Sequence, residues 1–215
     1  MIYDYNKENL NKVLVTYIEE NIFPEYNKNE KAHDINHIIS VINHAFNISK
    51  NYDVDLNLIY TAVAFHDIGH HIDKDNHEII SADIMSKDTN LNTFFNSEEL
   101  NTIKLAIEDH RASSNHEPRN IYGKIISAAD KNLTVDIAIT RTYLYSKKYY
   151  PNFTHEELFE EIYKHLNEKF GKNGYAKVYI IDEDFNNFKK DLIALLENKE
   201  NFFNKVTEIE KQLQN

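Results

Sequence analysis

Histidine and aspartate are the residues of this sequence that could do chemistry together. Eleven histidines occur in 215 residues, and eight of them fall between His33 and His110. His66 and Asp67 are adjacent and directly follow an apolar run, LIYTAVAF at 58–65. If this run is a helix, the imidazole and the carboxylate project about 100° apart near the core, where a charged carboxylate needs a partner. A divalent metal ion is such a partner, because it accepts imidazole nitrogen and carboxylate oxygen together.

Cysteine chemistry is excluded, because the sequence contains no cysteine. Disulfides, thiolate catalysis and Cys-ligated zinc or iron–sulfur sites therefore have no residues to form them. Any metal ion must be held by His, Asp or Glu.

A His-Asp pair alone is weak evidence for a metal site, because a helix-terminal Asp beside a hydrogen-bonded His gives the same pair. The residues around the pair are more specific evidence. The pair lies in AFHDIGH at 64–70, preceded by HDINHIISV at 33–41 and followed by IISAADK at 125–131. In this order the three segments resemble the signature of the HD superfamily of metal-dependent phosphohydrolases, over roughly residues 30–135. The resemblance implies an HD-domain helical bundle and a metal ion held by His37, His66, Asp67 and Asp130.

His33 is the alternative to His37 as the first ligand, since residues four apart share a helical face. His37 fits the family pattern better, because the apolar Val41 stands four positions after it. His33 then either lines the pocket and binds substrate or is a solvated residue at the start of a helix. Ser40 departs from the pattern, since many family members carry Arg at that place, and the last third of the chain matches no motif.

Two further histidines resemble the residues that bind a second ion in some family members. His77 begins HEIISA at 77–82, and His110 ends IKLAIEDH at 103–110. Either they hold a second ion, or they shape a phosphate pocket around a single ion, and the short interval from Asp67 to His77 favours the latter. The expected cofactor is one divalent ion of Mn, Fe, Mg, Ni, Co or Zn, with a second left open.

The chemistry implied is hydrolysis by a metal-activated water, because a bound divalent ion polarises a phosphoryl oxygen and lowers the pKa of water. Asp67 and Asp130 would neutralise the ion and orient the water, and Asp130 could take a proton. His70 either protonates the leaving oxygen or simply ends a helix favourably. Arg111 and Lys131, each next to an expected ligand, either bind substrate phosphate or cap a helix and pair with surface acids.

Three functions compete on these observations. The first is a phosphohydrolase, either a phosphomonoesterase or a phosphodiesterase, acting on a nucleotide or another small phosphorylated metabolite. The second is a regulatory module that senses a nucleotide without turnover. The third is a di-iron oxygenase, which requires the two-ion arrangement. The intact ligand set favours the first.

The elements that must position these residues are predicted to be helices. Only 4 Gly and 3 Pro occur in the chain, and apolar residues recur at helical spacing through most of it. We expect an all-α bundle of about eight to ten helices, with the apolar run at 58–65 in its centre, Ser97 as one N-cap and a Thr154–Glu157 capping box at another start. A β-like connection is expected near 175–181. We divide the chain into a helical core at 1–170 and a C-terminal helical extension packed on it at 171–215.

The formal charge of −11 opposes long-range attraction to nucleic acid or to an anionic membrane. The sequence also shows no secretory leader and no apolar run near 18 residues. We therefore expect a cytoplasmic protein with a small phosphorylated partner, without nucleic-acid or membrane partners, and with its oligomeric state left open.

Overall fold

The computed structural model describes residues 3–111, 116–131, 134–176, 179–180 and 183–214. This part of the chain is all-α, which confirms the predicted fold class. Its ten α-helices are α1 Lys12–Asn21, α2 Ile35–Ser49, α3 Leu56–Phe65, α4 His77–Lys87, α5 Ser97–Glu108, α6 Ile121–Ala129, α7 Val135–Tyr149, α8 His155–Phe170, α9 Glu183–Leu196 and α10 Lys199–Gln214. Short 3-10 helices lie at Phe23–Lys28, Lys31–His33 and Thr89–Thr93. Among the described helices, none has the length and apolar character that crossing a membrane requires.

Polar side chains fix where several of these helices begin. Asp34 accepts hydrogen bonds from backbone N–H groups of the first turn of α2, and Asp55 does the same for α3. At α8, Thr154 and Glu157 form the capping box that the sequence predicts. These caps set the register in which the helices present their side chains.

The start of α5 differs from the prediction by one residue. Asn96, not Ser97, is the N-cap, and it forms a capping box with Glu99. Ser97 is the first helical residue instead. The physical reason is that Glu99 stands three positions after Asn96, the interval at which its carboxylate reaches the backbone N–H of the cap.

The first compact unit comprises Met1–Asn132 and Val178–Ile180. Helix α3 lies at its centre, as predicted, because every residue from Leu58 to Phe65 is buried. Helices α2, α5 and α6 pack on α3, and α4 packs on α5. Burial of a large apolar side chain contributes about 1.5–3 kcal/mol, so this core holds the ends of α2 to α6 in fixed places.

The second compact unit comprises Leu133–Lys177 and Ile181–Asn215. Helix α7 packs on α8 and α10, and α9 packs on α8 and α10. Their apolar faces form a separate core that includes Phe159, Leu192 and Phe202. This unit therefore buries its own hydrophobic surface.

These units divide the chain differently from the predicted division at 170 and 171, since α7 and α8 share a core with α9 and α10. The predicted β-like connection is not a strand at its described residues, 175, 176, 179 and 180. Its other residues, 177, 178 and 181, lie outside the described part of the chain. Polar Asn173 and Gly174 precede it, and no neighbouring strand is described there for it to pair with.

Candidate metal centre

The histidines and aspartates singled out in the sequence lie at helix ends in the first unit. The ends of α2, α3, α4, α5 and α6 meet in one place because all five helices pack around the same core. The residues that these ends contribute are His33 and His37 at the start of α2, His66, Asp67 and His70 after α3, His77 at the start of α4, His110 after α5, and Asp130 after α6.

One oxygen of Asp67, Oδ2, faces two of the histidines that the family pattern makes ligands. It lies 3.7 Å from His37 Nε2 and 3.5 Å from His66 Nε2. Asp130 Oδ1 approaches the same two nitrogens, at 3.1 Å and 3.9 Å respectively. Two atoms that each lie about 2.1 Å from one ion can be at most about 4.2 Å apart. All four separations satisfy this limit. His37, His66 and Asp130 have ligand atoms that all lie within 4.8 Å of one another, and so do His66, Asp67 and His110, and His33, His37 and Asp67.

The other oxygen of Asp67, Oδ1, faces a second pair of histidines. It lies 3.3 Å from His77 Nε2 and 3.5 Å from His110 Nε2, and these two nitrogens are 3.3 Å apart. The three atoms form a nearly equilateral triangle that satisfies the same limit. Asp67 thus stands between two groups of ligand atoms and presents a different oxygen to each.

Backbone carbonyls fix the orientation of three of these imidazoles. His66 Nδ1 lies 2.7 Å from Val63 O, His77 Nδ1 lies 2.9 Å from Lys74 O, and His110 Nδ1 lies 2.6 Å from Ile107 O. A carbonyl only accepts, so Nδ1 carries the proton and donates it in each case. The lone pair of each ring is consequently on Nε2, the nitrogen that faces Asp67, which is the arrangement found in metal-binding histidines.

A buried nitrogen without a described hydrogen-bond partner indicates that these residues suit a metal ion. His66 is fully buried, and its Nε2 has no hydrogen-bond partner among the described residues. A buried lone pair without a partner costs free energy, and a cation at this position would remove that cost. The residues therefore fit a divalent metal ion with nitrogen and oxygen ligands.

Both carboxylates of the cluster are charged. Burial alone would raise the pKa of Asp67, but its interactions with His66, His110 and His33 outweigh burial and hold this pKa well below its usual range. Burial also acts to raise the pKa of Asp130, and the hydrogen bond and charge of His37 reverse the effect and lower it. Two negative charges thus face four imidazoles at neutral pH, an environment that attracts a cation.

Two of the imidazoles are neutral at pH 7, the form that binds a metal ion. Burial lowers the pKa of His66 to about 4, against the opposing charge of Asp67. Burial, together with the neighbouring His110, also lowers the pKa of His77. In His110 burial acts downward too, but the interaction with Asp67 outweighs it and raises the pKa.

His33 and His70 lie beside the cluster and stack on each other. Their ring centroids are 3.9 Å apart and the rings are nearly parallel. His33 Nδ1 lies 2.7 Å from Asp67 Oδ2, and the His33 side chain is partly exposed. His70 is buried, and burial lowers its pKa to about 4. Both side chains are therefore close enough to Asp67 to act on a substrate bound there.

Arg111 and Lys131 have protein partners of their own. The Arg111 guanidinium donates to Asp75 O and lies 3.5 Å from Glu78. Lys131 is buried, and its Nζ donates to Ser127 Oγ at 3.0 Å.

Two residues around the cluster carry no motif that reveals them in the sequence. Asn29 hydrogen bonds to the backbone of Asp67, and Asp109, directly before His110, is buried and bound by Arg119. Their partners are set by the tertiary fold. Only the position of Asp109 beside an expected ligand offered a signal.

Comparison with known proteins gives one family match and one similar solved structure. Residues 34–133 match the family model of the HD domain. Among solved structures, the chain is similar to the crystal structure of a predicted HD superfamily hydrolase from an uncultured Thermotogales bacterium at 1.45 Å resolution, with 22% identity over 73% of this chain and 87% of that chain and a TM-score of 0.48. No curated protein matches the sequence. Residues 34–133, which match the HD domain, contain the HDINHIISV, AFHDIGH and IISAADK segments apart from His33.

Proposed function

We propose that this protein hydrolyses a phosphate ester or anhydride of a nucleotide or another small phosphorylated metabolite, at a centre for two divalent metal ions. The observation that carries the proposal is the position of the Asp67 carboxylate. Its Oδ2 faces His37 and His66, whereas its Oδ1 faces His77 and His110. This division supports the two-ion alternative, in which His37, His66, Asp67 and Asp130 would hold one ion and His77 and His110, with Asp67, would hold the other.

The charges of the cluster suit an anionic substrate. Divalent ions bound here would polarise a phosphoryl oxygen and lower the pKa of water. Asp67 and Asp130 would cancel half of the charge of two such ions, and neutral histidines cancel none. A positive charge of about two therefore remains for a phosphate group.

The neighbouring polar residues are proposed to act on the substrate. Asp130 is partly exposed, so it is placed to orient water and take a proton. For His70 to donate a proton to the leaving oxygen, the negative charge of a bound phosphate would have to raise its lowered pKa. His33 would hydrogen bond to substrate through its partly exposed ring. For Arg111 and Lys131 to bind substrate phosphate, they would have to exchange Glu78 and Ser127 for it.

Activity and metal content test the proposal together. The wild-type protein, freshly loaded with Mn²⁺, is assayed on nucleoside mono-, di- and triphosphates, p-nitrophenyl phosphate and bis(p-nitrophenyl) phosphate, of which the last two distinguish a monoesterase from a diesterase. We expect metal-dependent turnover that falls by more than about 100-fold in Asp67→Ala and Asp130→Ala. Substitution of a direct ligand should reduce activity more than the roughly 10–100-fold that is typical for substitution of a residue that hydrogen bonds to a ligand. His155→Gln, a histidine substitution in the second unit, is the control.

The number of ions is tested by metal analysis at saturation. We expect two ions per wild-type chain and one in the double variant His77→Ala/His110→Ala. One ion in both proteins would contradict the two-ion centre. A folded, metal-loaded protein that is inactive on the whole panel would instead favour a nucleotide-sensing module, and oxygen-dependent turnover would favour a di-iron oxygenase.

A further inference from the structure

The amide side chain of Asn29 connects two segments around Asp67, its own segment up to His33 and the turn from Asp67 to His71. Its Nδ2 donates to His33 O at 3.1 Å and to Asp67 O at 2.9 Å. Its Oδ1 accepts from His71 N at 3.1 Å and lies 3.2 Å from His71 Nδ1. The amide group of Asn29 thus uses both its nitrogen and its oxygen. Its partners Asp67 and His71 are 38 and 42 positions after it in the sequence.

Asn29 is itself held against the end of α3. It follows the 3-10 helix at Phe23–Lys28, and its backbone N–H donates to Tyr26 O. Tyr26 is buried, and its hydroxyl donates to Ala64 O at 2.9 Å. The Asn29 amide therefore extends from a segment that is already fixed to α3 three residues before Asp67.

The two joined segments carry side chains of the candidate metal centre. His33 O belongs to the residue whose ring meets Asp67 Oδ2 at 2.7 Å. His71 directly follows His70, which stacks on His33. Asn29 thus fixes, relative to one another, the backbone segments that carry Asp67, His33 and His70.

We infer that Asn29 is a positioning residue that aligns Asp67 between the two groups of imidazoles and thereby sets the metal affinity of the centre. The inference rests on the proposed function, because it assumes that Asp67 binds metal ions. An amide is required at this position, since the side chain must donate to two carbonyls and accept from one N–H at once. Mutation of a residue that orients a metal ligand by hydrogen bonding typically lowers metal affinity by about 10–100-fold.

Two variants and one control test this inference. Asn29→Ala removes all four interactions. Asn29→Asp keeps the size and the acceptor but cannot donate to the carbonyls of His33 and Asp67. Asn43→Ala is the matched control, since the Asn43 amide also donates to a distant backbone carbonyl in the same unit, that of Asp4, at 3.0 Å. Mn²⁺ affinity is measured by titration calorimetry, and Co²⁺-loaded proteins are compared by visible absorption, which reports ligand geometry.

We expect Asn29→Ala and Asn29→Asp to bind Mn²⁺ about 10–100-fold more weakly than the wild type, with shifted Co²⁺ bands, while Asn43→Ala matches the wild type in both. The melting temperature in chelator separates misfolding from misalignment, and Asn29→Asp is the variant to use if Asn29→Ala does not fold. Wild-type Mn²⁺ affinity in Asn29→Asp, or an equal loss of Mn²⁺ affinity in Asn43→Ala, would overturn the inference but not the proposed function. A wild-type protein that takes up neither metal would overturn the proposed function and the inference with it.

Discussion

Asp109 is a buried carboxylate next to the candidate metal centre. Its carboxylate is fully buried directly before His110. It accepts hydrogen bonds from the backbone N–H of Arg119 at 2.7 Å and from the Arg119 guanidinium at 2.8–3.1 Å. A buried carboxylate that loses its cationic partner stays desolvated and uncompensated. The pair therefore fixes the chain on both sides of the segment that follows His110.

We predict that Arg119→Ala lowers the free energy of unfolding by about 2 kcal/mol. This is less than the range for a fully buried pair, because the Arg119 side chain is 44% exposed and water partly screens its charge. Arg119→Lys should recover only part of the loss, since an ammonium cannot match both carboxylate oxygens with a rigid fork of donors. Lys124→Ala is the control, because Lys124 pairs with the exposed Glu117 and should cost no more than about 1 kcal/mol. Urea unfolding followed by circular dichroism measures all three, and equal losses in Arg119→Ala and Lys124→Ala would contradict the prediction.

At the scale of single residues, the sequence predicted only those site residues that belong to a motif. The His-Asp pair at 66 and 67 could be found because two chemically distinct groups are adjacent after an apolar run. The division of Asp67 between two imidazole groups could not, because it depends on where helix ends meet in space. Asn29 was missed for the same reason, since an isolated asparagine is an ordinary surface residue until its partners at 67 and 71 are known.

At the scale of the elements, the approach of α4 to the turn after α3 decides where His77 lies. Gly69 is in that turn, and its N–H donates to Ser81 Oγ of α4 at 3.0 Å. A Cβ at Gly69 would lie 2.7 Å from Ile80 Cγ2, and 3.0 Å from both Ile80 Cβ and Ser81 N. The last two atoms are fixed to the helix, so rotation of the Ile80 side chain cannot relieve every contact. Glycine is needed here for the close packing of α4, which begins at His77.

We predict that Gly69→Ala displaces α4 and lowers the free energy of unfolding by about 1–3 kcal/mol, the usual cost of overpacking. Because His77 is the first residue of α4, the variant should also lose affinity at the group formed by His77 and His110, while the group around His37 and His66 keeps its ion. Metal titration and thermal unfolding measure the two effects. Adding Ile80→Ala removes the closest contact and should restore part of each, and a Gly69→Ala variant that is indistinguishable from the wild type would refute the steric explanation.

The helices themselves were predictable because their signals are local. Apolar residues at helical spacing mark α2 and α3, and the capping box at Thr154 marks the start of α8 to the residue. The N-cap of α5 was misplaced by one because Asn96 and Ser97 are both good cap residues. Asn96 is the N-cap because the Glu99 side chain accepts a hydrogen bond from the Asn96 backbone N–H.

At the scale of the whole molecule, the chain forms two compact units with separate cores. The sequence did not predict this division, because periodicity shows which face of α7 or α8 is apolar but not which helix covers it. In the structure α7 and α8 pack with α10 and α9, so four helices form the second unit. All residues of the candidate metal centre, from His33 to Asp130, lie in the first unit.

This division predicts where metal binding stabilises the protein. An ion that binds only the folded state at about 100 times its dissociation constant adds about 2.7 kcal/mol of stability, so removing metal with a chelator should lower the melting temperature. Because the proposed ligands lie at the ends of α2 to α6, we expect metal to slow backbone hydrogen exchange around His37, Asp67, His77 and Asp130 and to leave α8 and α10 unchanged. Mass spectrometry of exchanged peptides, with and without Mn²⁺, measures this. Asp67→Ala should show no metal-dependent slowing, and slowing in α8 and α10 as large as that around Asp67 would contradict a stabilisation confined to the first unit.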